Sequence, residues 1–170
     1  YSGASNITAV NKRLQVSLTL VDVVHNEKNV FIREVEMRND APHERTLKIF
    51  FAQEFRISES RRGDTGFYDP RVRSIIHYKG HNAFLVYAQS DCVSFSEYSV
   101  GLFGIEGKEG TYTDAHDGIL SRNPIEHGSV DSVISIHAHL KSTESKVIHY
   151  WIVAGSSIKE VHTLHQQIID

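Results

Sequence analysis

Two histidine pairs in this sequence have spacings that could place metal ligands on one face of a secondary-structure element. His137 and His139 lie two residues apart in an alternating apolar segment, so both imidazoles would project from one face of a strand. His162 and His165 have helical spacing. With 11 histidines in 170 residues, such pairs arise by chance, and no carboxylate at ligand spacing completes the first pair. The sequence therefore predicts no metal site and no cofactor.

A second candidate for chemistry is the glycine-rich segment 101–128, which has no sustained hydrophobic period. It carries five carboxylates: Glu106, Glu109, Asp114, Asp117 and Glu126. Loops of this length are uncommon without a task, so we predict an ordered functional loop. Calcium is one ligand to consider, because Asp114 and Asp117 stand beside a turn at Gly118, but the EF-hand spacing is absent. Asp side chains that bond their own backbone explain the same residues, and we favour this turn-forming role.

Hydrolytic side-chain sets are not specified by the sequence. A glycosidase needs two carboxyl groups, about 5–5.5 Å apart when retaining and about 6.5–9.5 Å apart when inverting. Many carboxylate pairs fit such a description, and spacing along the chain selects none of them. Ser94, Ser96 and Ser99 lack a nucleophile-elbow pattern, and Cys92 has no reactive context. We therefore assign no catalytic residue and do not expect this chain to be an enzyme by itself.

The overall composition is that of an ordinary globular domain. The 170 residues are 40% apolar and 23% charged, with a formal net charge of −3, and one domain is the expected count. No concentrated basic footprint predicts a nucleic acid or an anionic membrane as partner. No apolar stretch reaches the roughly 18 residues of a membrane span. The chain begins at Tyr1 without a signal-peptide pattern, and its single cysteine suits a reducing compartment, so we expect a cytoplasmic location.

Alternating apolar residues predict about eight short strands. These strands must position the histidines and carboxylates considered above. The predicted strands are residues 14–20, 30–39, 47–57, 74–79, 84–88, 93–95, 130–140 and 147–153. A loop is predicted over residues 58–70, and the period changes to helical only in residues 157–170, where Ser157 and Glu160 have capping-box spacing. The fold class expected is all-β: an antiparallel two-sheet super-β-sandwich with a C-terminal linker helix.

Several longer motifs make a known family recognisable. The motifs are residues 50–57, 63–70, 76–80, 107–115, 117–118, 123–125, 128–132 and 150–155. Together with the strand at residues 30–39 they span nearly the whole chain. In these motifs the chain resembles the N-terminal domain of the bacterial and archaeal glucoamylase family, glycoside hydrolase family 15, whose members include glucodextranases and trehalases.

The resemblance implies a domain organisation and a set of partners. It implies a sandwich over residues 1–155, with the family's first strands lying before Tyr1, and the start of a helical linker over residues 156–170. In that family the linker leads to an (α/α)6 barrel, which supplies both glutamates for exo-acting, inverting hydrolysis of α-glucosidic bonds. The expected partners are therefore this barrel and, through it, an α-glucan or a trehalose-type substrate. No catalytic glutamate is carried over to this chain.

The residues expected to face such a barrel are polar groups in the two irregular segments. They are Asp64, Tyr68, Asp69, Lys108, Glu109 and Asp114. Capping of turns explains them equally well. An alternative function is an independent carbohydrate-binding module for α-glucans, with sugars stacked on Phe67, Tyr68, Tyr112 or Trp151, although Trp151 lies in a strand that looks buried. A self-sufficient enzyme or metal-dependent protein ranks third.

Overall fold

The computed structural model describes residues 3–59 and 62–169, and most of the regular secondary structure in this part of the chain is β-strand. The strands are β1 Ala4–Asn11, β2 Val16–Val24, β3 Val30–Asn39, β4 Arg45–Glu54, β5 Asp64–Asp69, β6 Ser74–Lys79, β7 Asn82–Ser90, β8 Val93–Ser94, β9 Glu97–Leu102, β10 Ile125–Gly128, β11 Val130–Leu140 and β12 Ser145–Gly155. Short 3₁₀ helices occupy Ile57–Glu59 and Thr111–Asp117, and one α-helix, α1, spans Ile158–Ile169.

The strands form two antiparallel sheets of unequal size. The larger sheet has the order β1-β2-β3-β12-β7-β6-β5-β10, with β8 paired to β7, and the smaller sheet has the order β4-β11-β9. Every strand pair is antiparallel. The predicted all-β, antiparallel two-sheet sandwich with a C-terminal helix is therefore confirmed.

The core lies between the inner faces of the two sheets. Tyr150 of β12 stacks on Phe51 of β4, with ring centroids 4.7 Å apart and ring planes 9° from parallel. Ile134, Val86 and Ile148 have no exposed surface. Alternate residues of central strands such as β11 and β12 fill this layer, which is why a period of two in the sequence predicts these long strands correctly.

A buried polar bridge connects the two sheets through this core. His77 of β6, 1% exposed, has its Nε2 2.8 Å from the Ser132 Oγ of β11. Ser132 Oγ donates its one proton to Gln53 Oε1 on β4, at 3.0 Å. His77 must therefore donate from Nε2 to Ser132, which fixes the neutral tautomer of its ring. Burial lowers the pKa of His77 to about 3, so the imidazole is uncharged at neutral pH.

Helix α1 packs on the outer face of the larger sheet, against β7 and β12. Val161 has no exposed surface, and His165 is 1% exposed. The Trp151 Nε1–H donates to His165 Nδ1 at 3.0 Å, which requires an unprotonated Nδ1. Desolvation lowers the pKa of His165 to about 4. The histidine at position 165, considered in the sequence as a weak metal ligand, is thus part of the helix-docking contact.

The start of α1 agrees with the predicted capping box in one of its two bonds. The Glu160 N–H donates to Ser157 Oγ at 3.2 Å, as expected. The Glu160 carboxylate accepts from the Ser156 backbone N–H at 2.8 Å and from the Ser156 hydroxyl at 2.6 Å, one residue earlier than the capping box predicts. The observed helix, Ile158–Ile169, agrees with the predicted helical segment 157–170 to within one residue at each end. Asp170 lies outside the described residues.

Four strands lie where the alternating pattern predicted none. β1 and β9 were not predicted, β5 lies in the predicted loop 58–70, and β10 lies in the predicted loop 101–128. The loop predictions were wrong at these places because β5 and β10 are held by main-chain pairing with each other and with β6. At Gly66 of β5 an added Cβ would lie 2.6 Å from Val130 Cγ1, so the close approach of the sheets requires a residue without a side chain.

The two buried histidines make stability depend on pH. Their folded pKa values, about 3 for His77 and about 4 for His165, lie below the ordinary 6.5, so the unfolded chain takes up these protons first as pH falls. We expect the free energy of unfolding to fall by about 1 kcal/mol per histidine between pH 6.5 and 5.5. Urea denaturation at a series of pH values measures this slope.

His77→Gln should remove the share of the slope that belongs to His77. The matched control is His81→Gln, because His81 is exposed in the turn between β6 and β7. An unchanged slope in the His77 variant would show that this imidazole is not neutral in the folded protein.

Candidate functional site

A polar cavity of about 260 Å³ lies between β9, the 3₁₀ helix Thr111–Asp117 and β10. Three of the six predicted site residues line it together: Lys108, Glu109 and Asp114. Other polar groups complete the lining: Ser99, Thr111, Thr113, Ser121, Asn123 and Glu126. The predicted functional loop therefore folds around a cavity that holds three carboxylates and one ammonium group.

Internal hydrogen bonds hold most of these side chains in place. The Ser121 N–H donates to Asp114 Oδ2 at 2.8 Å. The Asn123 Nδ2 group donates to the Val100 carbonyl at 2.7 Å and to Glu126 Oε1 at 3.1 Å. Asp114 and Asn123 thereby fold the segment that joins the 3₁₀ helix to β10. In contrast, Lys108 and Glu109 are exposed at the cavity's edge.

Asp131 lies beneath this cavity and was not among the predicted residues. It is 5% exposed on β11, and its Oδ2 accepts the Thr111 backbone N–H at 2.6 Å. Desolvation raises the pKa of this carboxyl. The loop passes so close that a Cβ added to Gly110 would lie 2.8 Å from Asp131 Oδ2, and Gly110 has a φ of 128°. The glycine content of segment 101–128 was the one sequence signal of this close contact.

Asp69 and Asp64, two predicted residues of β5, lie elsewhere and are buried, each 2% exposed. Asp69 accepts from Arg71 Nη2 at 2.7 Å, Arg71 Nε at 3.0 Å and the Arg71 N–H at 3.0 Å. These bonds hold the pKa of Asp69 below its usual value. His162 Nε2 of α1 lies 3.2 Å from Asp69 Oδ2, so this carboxylate is in contact with the helix. Asp64 pairs with Lys79 Nζ at 3.2 Å.

Tyr68, the third predicted residue of β5, belongs to an aromatic cluster. Its ring stacks on Tyr98 with centroids 4.1 Å apart and meets Phe95 edge-on at 6.1 Å. Its backbone N–H donates to the Pro124 carbonyl at 2.8 Å. The structure thus brings Lys108, Glu109 and Asp114 together, while Asp64, Tyr68 and Asp69 do not line their cavity.

The histidines and aspartates considered as metal ligands make other contacts. His137 Nε2 lies 3.2 Å from Glu97 Oε2, and His139 Nε2 lies 3.8 Å from Glu44 Oε2. Asp117 Oδ1 accepts the Ile119 N–H, as a turn-forming residue does. Across residues 3–59 and 62–169, no group of three or more His, Cys, Asp or Glu side chains is placed to hold a metal ion.

The four aromatic residues considered as sugar platforms differ in exposure. Trp151 is 2% exposed and is covered by α1, so the expectation that it lies in a buried strand is confirmed. Phe67 and Tyr68 are half-buried. Tyr112, between the cavity-lining residues Thr111 and Thr113, is 47% exposed. Among the described residues, no helix is long and apolar enough to cross a membrane.

Comparison with solved structures identifies a class of fold. The chain matches a bacterial glucoamylase solved in complex with acarbose, with a TM-score of 0.76 and 11% sequence identity over 99% of this chain and 26% of that one. It also matches heparinase III, with a TM-score of 0.55 and 12% identity over 94% of this chain and 21% of that one.

These matches show that the chain has the fold of one part of each of these two larger proteins. The fold expected from the resemblance to glucoamylases is therefore confirmed, and the chain spans about a quarter of the length of the glucoamylase it matches. No model of a known protein family matches the sequence. A search of curated proteins finds no match either.

Asp131 should be essential for the shape of the cavity wall. Asp131→Ala leaves the buried Thr111 N–H without an acceptor, so we expect a loss of about 1–3 kcal/mol in the free energy of unfolding and faster amide exchange at Thr111. Asp131→Asn, which keeps an acceptor oxygen, should restore part of the loss. The control is Asp117→Asn on the exposed side of the same loop, with an expected change under about 0.5 kcal/mol. Equal stability of the Asp131→Ala protein and the unchanged protein would refute this role.

Proposed function

We propose that this chain is a non-catalytic N-terminal domain of a glucoamylase-like hydrolase of α-glucosidic bonds, and that it packs on and supports the catalytic barrel. The observation that carries the proposal is the fold match over 99% of this chain to about a quarter of a glucoamylase chain. A domain of that size needs a further domain to account for the rest of such an enzyme. The substrate proposed for the whole enzyme is an α-glucan or a trehalose-type sugar.

The contacts of the predicted site residues support a structural role for this domain. Asp64, Asp69 and Asp114 are each bound by a cation or a backbone N–H of the same domain. Such carboxylates stabilise the fold, and proton transfer to a substrate would break these contacts. The side chains exposed at the cavity's edge, Lys108 and Glu109, are the groups available to a neighbouring barrel.

We propose that Lys108 and Glu109 face the barrel's active-site rim. There they would orient substrate or hold the two domains together, since charged groups at an interface fix the relative position of its partners. The docked helix α1 supports this arrangement, because its contacts with β7 and β12 give the chain that leaves the sandwich a fixed direction.

The proposal is tested by a double substitution, Lys108→Ala with Glu109→Ala, in the full-length enzyme. We expect KM to rise by up to about fivefold, or Tm to fall by a few degrees, as the loss of one exposed interface pair implies. In the isolated domain the same substitutions should leave Tm unchanged, because both side chains are exposed there.

The matched control removes the same two charges at exposed positions away from the cavity, with Lys12→Ala and Glu27→Ala. Unchanged kinetics and unchanged stability in the Lys108–Glu109 variant would defeat the interface role. A full-length polypeptide without any glycoside hydrolase activity would defeat the proposed function as a whole.

A second candidate function, favoured by the exposure of Tyr112 beside the cavity, is an independent carbohydrate-binding module. An exposed aromatic ring next to polar groups can stack on a sugar face while carboxylates accept hydrogen bonds from its hydroxyls. Titration of the isolated chain with maltooligosaccharides separates the two functions. Millimolar or tighter binding that Tyr112→Ala abolishes supports the module, whereas a supporting domain should show none.

We also propose a cytoplasmic location for the enzyme. Cys92 is an exposed free thiol in the turn between β7 and β8. Such a thiol suits a reducing compartment, where it stays unpaired. Fractionation of the natural host, followed by detection of the protein, tests this location.

A further inference from the structure

The smaller sheet leaves part of the larger sheet without an opposing layer. The stack of Phe51 on Tyr150 places β4 opposite β12, and β11 and β9 contact strands on the far side of β12. On the near side, β3, β2 and β1 continue the larger sheet beyond β12. Within the described residues, no strand of the smaller sheet extends past β4 to cover β1 and β2.

The inner face of these uncovered strands carries a row of apolar side chains, with the Asp22–Arg33 ion pair as its polar part. Leu20 pairs with the buried Val35 across β2 and β3, so both side chains point inward. Ile7 of β1 pairs with Leu20 and shares this face, yet it is 48% exposed. Leu18 and Ala9 continue the same inward row. An apolar inward face left open to water is a face that lacks its partner layer.

Two grooves flank β4 on this uncovered face. The first, of about 500 Å³, is lined by apolar residues of β1 to β4, among them Ala9, Leu18, Met37, Leu47 and Ile49. The second, of about 430 Å³, lies at the other end of β4 and is lined among others by Val24, Phe31, Phe55, Phe84 and Ile152. Between them, on β2 and β3, Arg33 Nε pairs with Asp22 Oδ1 at 2.6 Å. One extended segment beside β4 would cover both grooves.

The free edge of β4 presents main-chain groups for such a segment. The Phe103 N–H donates to the Ser129 carbonyl, and this pair continues the register in which β9 pairs with β11. Hydrogen-bonded pairs recur at every second residue of an antiparallel ladder. The odd-numbered residues of β11 therefore point their main-chain N–H and C=O groups at β9. Even-numbered residues of β11 therefore bond to β4, through pairs such as Ile134–Phe51. The alternate residues of β4 point their N–H and C=O groups to the open edge. They are Thr46, Lys48, Phe50, Ala52 and Glu54.

We propose that a β-strand from the same polypeptide, outside residues 1–170, pairs with this edge of β4 and extends the smaller sheet over β3 and β2. This inference rests on the proposed function, which makes the chain part of a longer polypeptide. The strand carries inward apolar side chains at both ends, over the two grooves, and an inward polar residue near Arg33 and Asp22. It spans β4, so it is about ten residues and about 33 Å long.

A second copy of this chain fits the edge less well than a single strand does. If two copies paired β4 to β4 in one layer, each would bring its own β1 and β2 beneath the shared edge. Both pairs of strands would then occupy the same space. A single strand meets no such conflict, because β1 and β2 form its floor.

Amide exchange measures the pairing directly. In residues 1–170 alone, the amide protons of Lys48, Phe50 and Ala52 should exchange at least about tenfold faster than those of Ile49 and Phe51, which bond to β11. In the full-length polypeptide, the three edge amides should slow by at least about tenfold. Unchanged exchange in the full-length protein would overturn the proposal.

Ala52→Pro shows whether the edge amides are bonded or only covered. Ala52 is exposed and its N–H points to the open edge, so proline should be tolerated in residues 1–170 but should lower the Tm of the full-length protein. The control, Ala52→Ser, keeps the N–H and should have little effect in either. If the full-length Ala52→Pro and Ala52→Ser proteins have equal Tm values, the pairing is overturned. Slowed exchange of the β4 edge amides would then mean that a surface of the barrel covers β4 without a paired strand.

Two further outcomes separate this inference from its alternatives. In residues 1–170, the amide exchange of the β4 edge residues could slow as the protein concentration rises. That result would show that a second copy of the chain occupies the edge, and it would overturn pairing within one polypeptide. A full-length protein with slowed exchange and a harmful Ala52→Pro, but without hydrolase activity, sustains the strand and defeats the proposed function alone.

Discussion

A sheet with one apolar face is stable only when another layer excludes water from that face. In this chain the smaller sheet covers the middle of the larger one, where Phe51 meets Tyr150, and α1 covers part of the other side through Val161. At β1 and β2 the inner face stays partly exposed. The unequal sizes of the two sheets therefore determine which part of the larger sheet is covered and which part stays open to water.

Buried polar groups fix the position of each layer on the next. His77, Ser132 and Gln53 connect the sheets, Trp151 and His165 connect the larger sheet to α1, and Asp131 connects β11 to the cavity loop. Apolar packing alone tolerates sliding, whereas a buried donor that loses its acceptor is left at a cost of about 1–3 kcal/mol. Each of these bonds therefore helps to fix the position of one layer on the next.

The sequence predicted the strands that bury alternate side chains, because burial produces a period of two. It missed strands that are held mainly by main-chain hydrogen bonds to their neighbours. Residues 30–39 and 130–140 alternate because one face of each strand is buried, and both were predicted with the observed bounds. β10 has only four residues, too few to show a period. For the cavity, the glycine-rich loop revealed Lys108, Glu109 and Asp114. Asp131 is 20 residues from its partner Thr111, and no local spacing connects them.

The docking of α1 bears on how such a domain can act on a neighbour. A linker that is free in solution would let two domains move independently, which is the default for a small, polar interface. Here His162 meets Asp69, His165 accepts from Trp151, and Lys28 Nζ donates to Gln167 Oε1 at 2.8 Å near the helix end. The helix is thus held to the sandwich along its length. In the proposed enzyme, the barrel would follow from a fixed direction, so loop residues such as Glu109 could keep a constant place at its rim without a large interface.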